Sequence, residues 1–208
     1  VDRRQRQMCI RDRTLVLSTD NKNKLKEIKE ILGDLDIEIM AKSDIYDLDF
    51  EVEEDGLTLY DNALKKANAI AERTKYAVLS DDTGLFVNAL GGEPGVHSAR
   101  YASEHDDKKN REKLLKNLED KEDRSAYFKT QIVLIDEDKN IIPIEGICEG
   151  SISKKEKGSQ GFGYDSIFIP KGFDKTFAEL GVAEKNKISH RAKAVSYTHL
   201  RAHETPEH

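Results

Sequence analysis

The apolar run Val78-Leu79 ends on Ser80-Asp81-Asp82-Thr83-Gly84, and this abrupt change from hydrocarbon to acid constrains the chain more than any other stretch. A short apolar run bounded by glycine is the pattern of a strand buried on both faces of an α/β sheet. Ligands of such sheets gather beyond the carboxyl ends of strands. A buried strand would then deliver Asp81 and Asp82 to a site. Taken alone, the stretch fits an Asp-rich turn bonded to nearby backbone equally well, so its meaning depends on what the rest of the chain supplies.

Thr14-Leu-Val-Leu17 is strand-like, and Leu25, Ile28, Ile31 and Leu32 follow at helical spacing. Between them Ser18-Thr-Asp-Asn-Lys-Asn-Lys24 joins a strand to a helix N-terminus, where outward amides, the helix dipole, Lys22 and Lys24 would favour an anion. An ordinary capped turn is the competing reading. The loop lacks the glycines of a Walker or Rossmann fingerprint, so a phosphate binder here belongs to another family. Residues 37–40 form a second candidate strand, and residues 44–55 are acid-rich. Thr58 and Asp61 then resemble a capping box opening a helix with Ala63, Ala67, Ile70 and Ala71 on one side. Glu53 or Glu54, just before that helix, is either part of a solvated acidic face or a carboxylate that meets Asp82 and shares a divalent cation.

Further on, Gly91-Gly-Glu-Pro-Gly95 marks a loop of demanding backbone angles, with Ser98 and Arg100 placed to bind an anion or to brace the loop. Residues 106–118 read as a charged helix with Leu114, Leu115 and Leu118 on its apolar side and no evident chemistry. Residues 126–135 and 141–148 read as a scaffold hairpin of a second lobe. In Gly158-Ser-Gln-Gly-Phe-Gly-Tyr-Asp165 the glycines would let backbone approach a ligand while Phe162 offers a stacking face and Asp165 accepts from an N–H edge. A packed aromatic in a β-turn fits that stretch as well. Lys185, His190 and Arg191, on a short helix and turn, suit a ligand rich in phosphate and carbonyl oxygens.

At 208 residues the chain suits one domain, with or without two lobes, and can bury a sizeable core. Its net charge of −6 argues against a general nucleic-acid binder. No apolar run approaches the roughly 20 residues of a membrane span. Two cysteines without a spacing pattern, Cys9 and Cys148, point to a reducing cytoplasm. The arginine-rich residues 1–13 and the polar residues 195–208, which carry His199, His203 and His208, resemble translated linker sequence and are expected to be non-native extensions.

The motifs Thr19-x-Asn21-x-x-Lys24, Ser80-Asp-Asp-Thr-Gly84, Gly92-x-Pro-Gly-x-x-Ser-Ala-Arg100, Gly161-Phe-Gly-Tyr-Asp165 and Ser189-His-Arg191 stand in one order. Each is weak alone; the ordered set closely resembles the inosine triphosphatase family, the non-canonical purine nucleoside triphosphate pyrophosphatases also called the Ham1 or RdgB family, over residues 14–194. The resemblance implies an α/β fold, elongated and two-lobed, around a long central mixed β-sheet flanked by helices. It implies a homodimer that hydrolyses ITP, dITP and XTP to the monophosphate and pyrophosphate with Mg²⁺.

By motif, the resemblance gives the triphosphate to Thr19, Asp20, Asn21, Lys22, Asn23 and Lys24, and makes Asp82 both the catalytic acceptor and a metal ligand. Thr83 would touch substrate, and Glu53 would be the second metal carboxylate. The base would meet Phe162, Gly163, Tyr164 and Asp165 together with His190 and Arg191, with Lys185 on phosphate or base. Relatives continue as a helix after the His-Arg pair, and that helix is expected to be lost here. Hypoxanthine and xanthine carry a 6-keto acceptor that donors from His190 and Arg191 can satisfy, whereas adenine presents an amino group. GTP shares the keto group, so its exclusion requires a contact near the purine 2-position. A Maf-type pyrophosphatase acting on pyrimidine or modified nucleotides, and a catalytically silent nucleotide-binding protein, are the alternatives.

Overall fold

The computed structural model describes residues 13–33, 35–45 and 51–203, with side chains through Ser196. The arginine-rich start before Arg13, residues 46–50 of the acid-rich run and His208 therefore lie outside the described residues. Seven strands form one sheet in the order β2-β1-β3-β5-β6-β7, with β4 paired to β3. In chain order they are β1 (Thr14–Leu17), β2 (Glu38–Ala41), β3 (Ala77–Val87), β4 (Pro94–Gly95), β5 (Ser125–Ile135), β6 (Ile141–Ile152) and β7 (Phe168–Pro170). The helices are α1 (Lys22–Ile31), α2 (Lys42–Ile45), α3 (Leu59–Ala71), α4 (Asp107–Asn117), α5 (Phe177–Leu180), α6 (Val182–Ile188) and α7 (His190–His203). β1 runs parallel to β2 and β3, while β4 and β7 are antiparallel to their neighbours, so the sheet is mixed. This is the expected α/β class.

Two compact units divide the chain: the first draws its described residues from Val1–Asp82, Gln131–Ile144 and Val195–His208, the second from Thr83–Thr130 and Glu145–Ala194. Strands β3, β5 and β6 each change unit along their length. The hairpin tip at residues 136–140 falls in the first unit, not in a second lobe as expected. Its Lys139 donates to Ala71 O at 2.7 Å and Thr74 O at 2.9 Å, capping the exposed carbonyls at the end of α3.

In the first unit α3 presents Leu59, Asn62, Ala63, Ala67 and Ile70 as one buried stripe, the i, i+3, i+4 pattern of an amphipathic helix. Its small alanines pack on Val16 of β1, Val78 of β3 and Val133 and Ile135 of β5. Thr58 caps the helix by accepting from Asp61 N at 3.1 Å. β3 does not stop at the acids, as the sequence implies, but runs through them to Val87. What ends there is β1, whose register with β3 closes at Leu17 opposite Leu79. The carboxylates stand just past the carboxyl end of β1, so the expected location is kept for a different strand.

The core of the second unit joins Leu85, Val87, Leu114, Leu118, Phe128, Phe168 and Phe177. Gly84 is required where β3 meets β4, because a Cβ there would lie 2.6 Å from Gly95 O. Ser98 braces this turn: its hydroxyl accepts from Leu85 N and donates to Gly95 O at 2.6 Å, which decides bracing over anion binding for that residue. Helix α7 runs from His190 into the stretch expected to be foreign, as far as His203, and Val195 is fully buried. Ala192, Ala194 and Val195 lie on the buried side of this helix. No helix among the described residues is long and apolar enough to cross a membrane.

Candidate active site

Three ionisable groups, Lys24, Lys66 and Glu54, gather around the two acids of β3 in the first unit. Lys24 of α1 approaches Asp81 Oδ1 at 3.6 Å. Lys66 of α3 donates to Asp81 O at 2.6 Å and pairs with Glu54 Oε1 at 2.7 Å. Burial pushes the Asp82 carboxyl above its usual range; the charges of Lys66 and Lys24 oppose this, while Glu54 and Asp81 add to it. Burial works against the charged form of Lys66 as well, but Asp82, Glu54 and Asp81 outweigh it and hold the ammonium above its ordinary pKa. For Glu54, burial is outweighed by the charge and hydrogen bond of Lys66, and its pKa falls. Three carboxylates act on two ammonium groups, an excess of one negative charge. The group attracts a cation, and within it the Asp82 carboxyl is raised while that of Glu54 is lowered.

Glu53, expected as the second metal carboxylate, does not join this group. Residues 51–56 alternate between exposed and partly buried positions, as extended backbone dictates. That period turns Glu54 inward with Val52 and Gly56 and leaves Glu53 exposed. Lys66 was missed, although a signal existed: three residues after Ala63 and four before Ile70, it borders the buried stripe of α3 with its side chain only 12% exposed, where a lysine requires partners. Asn62 on the same stripe accepts from Gly56 N at 2.8 Å and fixes the segment that carries Glu54.

The loop before α1 is more self-contained than expected. Asn21 Oδ1 accepts from Asn23 N at 3.0 Å and Lys24 N at 3.2 Å, and Thr19 Oγ1 accepts from Asn21 N. Those amides serve the cap, so the loop offers an anion side-chain charge from Lys22 and Lys24. Asp20 pairs with Lys42 at 3.0 Å.

The second unit assembles the residues expected at the base. Asp165 Oδ2 accepts from Phe162 N at 3.0 Å and pairs with Lys185 Nζ at 2.8 Å, both side chains being almost fully buried. Lys185 also lies 4.5 Å from the centroid of the Phe162 ring. Arg191 Nη2 donates to Thr83 Oγ1 at 3.1 Å, and that hydroxyl is 2.7 Å from Thr130 Oγ1. His190 stacks on Phe128 with ring centroids 4.5 Å apart. The first turn of α7 lies against Gly146 of β6, where a Cβ would come within 2.1 Å of His190 O. Tyr164 is packed in the core with its hydroxyl donating to Ser98 O at 2.6 Å, which anchors the loop.

A mixed sheet with a buried acid–lysine group in one unit and, in the other, an aromatic loop beside Lys185 and Arg191 defines a protein of the α/β class. The Ham1 family model matches residues 15–199. The dITP/XTP pyrophosphatase of Clostridium tetani is 46% identical over 189 residues, 88% of this chain and 93% of the relative. That of Haemophilus influenzae is 48% identical over 188 residues, 88% and 95% of the two chains. The solved Ham1 protein of Staphylococcus aureus superposes with a TM-score of 0.83 at 38% identity, covering 92% of this chain and 98% of its own. The chain belongs to the Ham1 family.

Proposed function

We propose that the protein hydrolyses non-canonical purine nucleoside triphosphates, ITP, dITP and XTP, to the monophosphate and pyrophosphate, and so clears them from the nucleotide pool. The observation that carries this reading is the acid–lysine group around Asp82, in which burial makes one carboxylate a proton acceptor beside two ammonium groups. Asp82 takes the proton from the attacking water. Lys24 and Lys66, with Lys22, offset the charge that develops on the pyrophosphate leaving group. Phe162 stacks on the base, and donors of His190 and Arg191 satisfy its 6-keto oxygen. An adenine amino group would leave those donors without acceptors.

The donor set fits Mg²⁺. Asp82 and Glu54, which share Lys66, are the carboxylates available to an ion that binds triphosphates through one or two carboxylates and substrate oxygens. Asp82 and Glu54 would hold it, and when bound it supplies charge neutralisation at the phosphates and acidifies water. Glu54→Gln is expected to raise the Mg²⁺ concentration for half-maximal turnover about tenfold, while Glu53→Gln leaves it within twofold. A Mg²⁺ titration of both variants checks this choice. Homodimeric assembly and a cytoplasmic setting complete the proposal on the strength of the family resemblance; a solution mass of twice the chain mass is the check on assembly.

A panel of ITP, XTP, dUTP, GTP and ATP, reading pyrophosphate against orthophosphate with and without Mg²⁺, tests the whole. The expected kcat/KM for ITP exceeds that for ATP by at least about 10²-fold. Equal rates on ATP would remove the base-reading role, and a preference for dUTP would turn the assignment toward pyrimidines.

A further inference from the structure

Helix α4, whose sequence carries no evident chemistry, grips the loop of residues 161–165 through the backbone of a single residue. Asp107 in its first turn accepts from Gly163 N at 3.0 Å, and Arg111, four residues on, donates through Nη1 to Gly163 O at 2.8 Å. A spacing of four places both side chains on one helix face, so one face meets the N–H and the C=O of the same glycine. Arg111 Nε also pairs with Glu156, whose Oε1 accepts from Ser166 Oγ at 3.1 Å. One guanidinium therefore fixes the middle of the loop directly and, through Glu156, its far end. The helix is a firm base, since Leu114 and Leu118 are fully buried in the core of the second unit. Phe162 and Asp165, the residues adjoining this clamp, are those bonded to each other and to Lys185.

We propose that Arg111, seconded by Asp107, is a positioning residue for base recognition: it sets Phe162 and Asp165 in the orientation that reads the purine, without touching it. This rests on the reading of residues 161–165 as the base-binding loop. A charge-assisted hydrogen bond to backbone is among the stronger contacts a loop can have, whereas the exposed Asp107 contact is weaker. Arg111→Met is expected to raise KM for ITP about tenfold and to narrow the ITP/ATP ratio of kcat/KM by a similar factor, with kcat little changed. Arg111→Lys should recover part of the loss, because one ammonium cannot reproduce the fork that serves Gly163 and Glu156 together. Asp107→Ala should show a smaller shift in KM, and Asp107→Asn should match the wild type because its amide oxygen accepts the same hydrogen bond.

The measurement is steady-state pyrophosphate release from ITP and ATP by the full chain and these variants, with thermal melts alongside. Unchanged KM and ratio in Arg111→Met overturn the inference while the functional reading stands. So does a uniform fall in kcat on both nucleotides at constant KM, which marks a general loss of fold that Arg111→Lys would share. No pyrophosphate from ITP with the wild type overturns the functional reading, and the clamp's role falls with it.

Discussion

Asp82→Asn is expected to lower turnover of ITP by about 10³-fold or more, to leave nucleotide binding largely intact and to raise the melting temperature. The loss follows from removing the proton acceptor while keeping its shape. The gain follows from charge. Asp82 is buried beside Glu54 and Asp81, and its pKa lies above the usual carboxylate value because burial and those neighbours outweigh the two lysines. A group with a raised folded-state pKa binds its proton more tightly when folded, so its contribution to stability is present below the unfolded pKa and lost as pH rises through the folded one. Once ionised, Asp82 is a cost to the fold. Substitution to the neutral amide leaves two carboxylates with two ammonium groups and should stabilise by about 1 kcal/mol, or about 2–4 °C. The difference in melting temperature should vanish below about pH 4 and open as pH rises. Turnover near that of the wild type would remove Asp82 from the chemistry. A melting temperature lower by several degrees would show that its charge supports the fold.

Lys66→Met has the opposite effect on stability and a comparable one on activity. Lys66 holds Asp81 O and Glu54 and carries a pKa raised by three carboxylates. Methionine fills the same part of α3 but removes that ammonium from all three carboxylates. Breaking a buried pair from one side costs about 3–5 kcal/mol. The Glu54 side chain is 36% exposed, so solvent screens part of this and about 2–3 kcal/mol is expected. The melting temperature should fall by about 5–10 °C and kcat/KM for ITP by about 10²-fold or more. The double variant Lys66→Met with Asp82→Asn should recover more than Asp82→Asn gains alone, on the order of 2 kcal/mol of the loss, because the Asp82 charge costs more once Lys66 no longer offsets it. Additive effects in that cycle would mean that the two groups do not interact.

The contrast between neighbouring residues explains how much was legible in sequence. The α/β class and the position of the acids could be read because an apolar run, a glycine and two carboxylates leave few places for a strand to go. The choice between Glu53 and Glu54 could not, since it turns on the phase of an extended segment, and a one-residue slip exchanges inside for outside. Lys66 was hidden beside Lys65: only the helical phase of α3 separates a lysine bordering the buried stripe from an exposed one. Tyr164 lies in a motif with Phe162 and Asp165, but its hydroxyl goes to Ser98 O, a partner 66 residues away that no local pattern announces. Asn21 could be recognised as a cap from its place before α1. That its side chain would take up the amides of Asn23 and Lys24 required coordinates.

The central claim, that a buried carboxylate directs water to the phosphorus joined to the nucleoside, is tested most directly by ³¹P NMR of the products of ITP cleaved with Mg²⁺ in ¹⁸O-labelled water. The account predicts IMP and pyrophosphate in equal amounts, with the label on the IMP phosphorus alone. Orthophosphate with IDP, or label in the pyrophosphate, would contradict it.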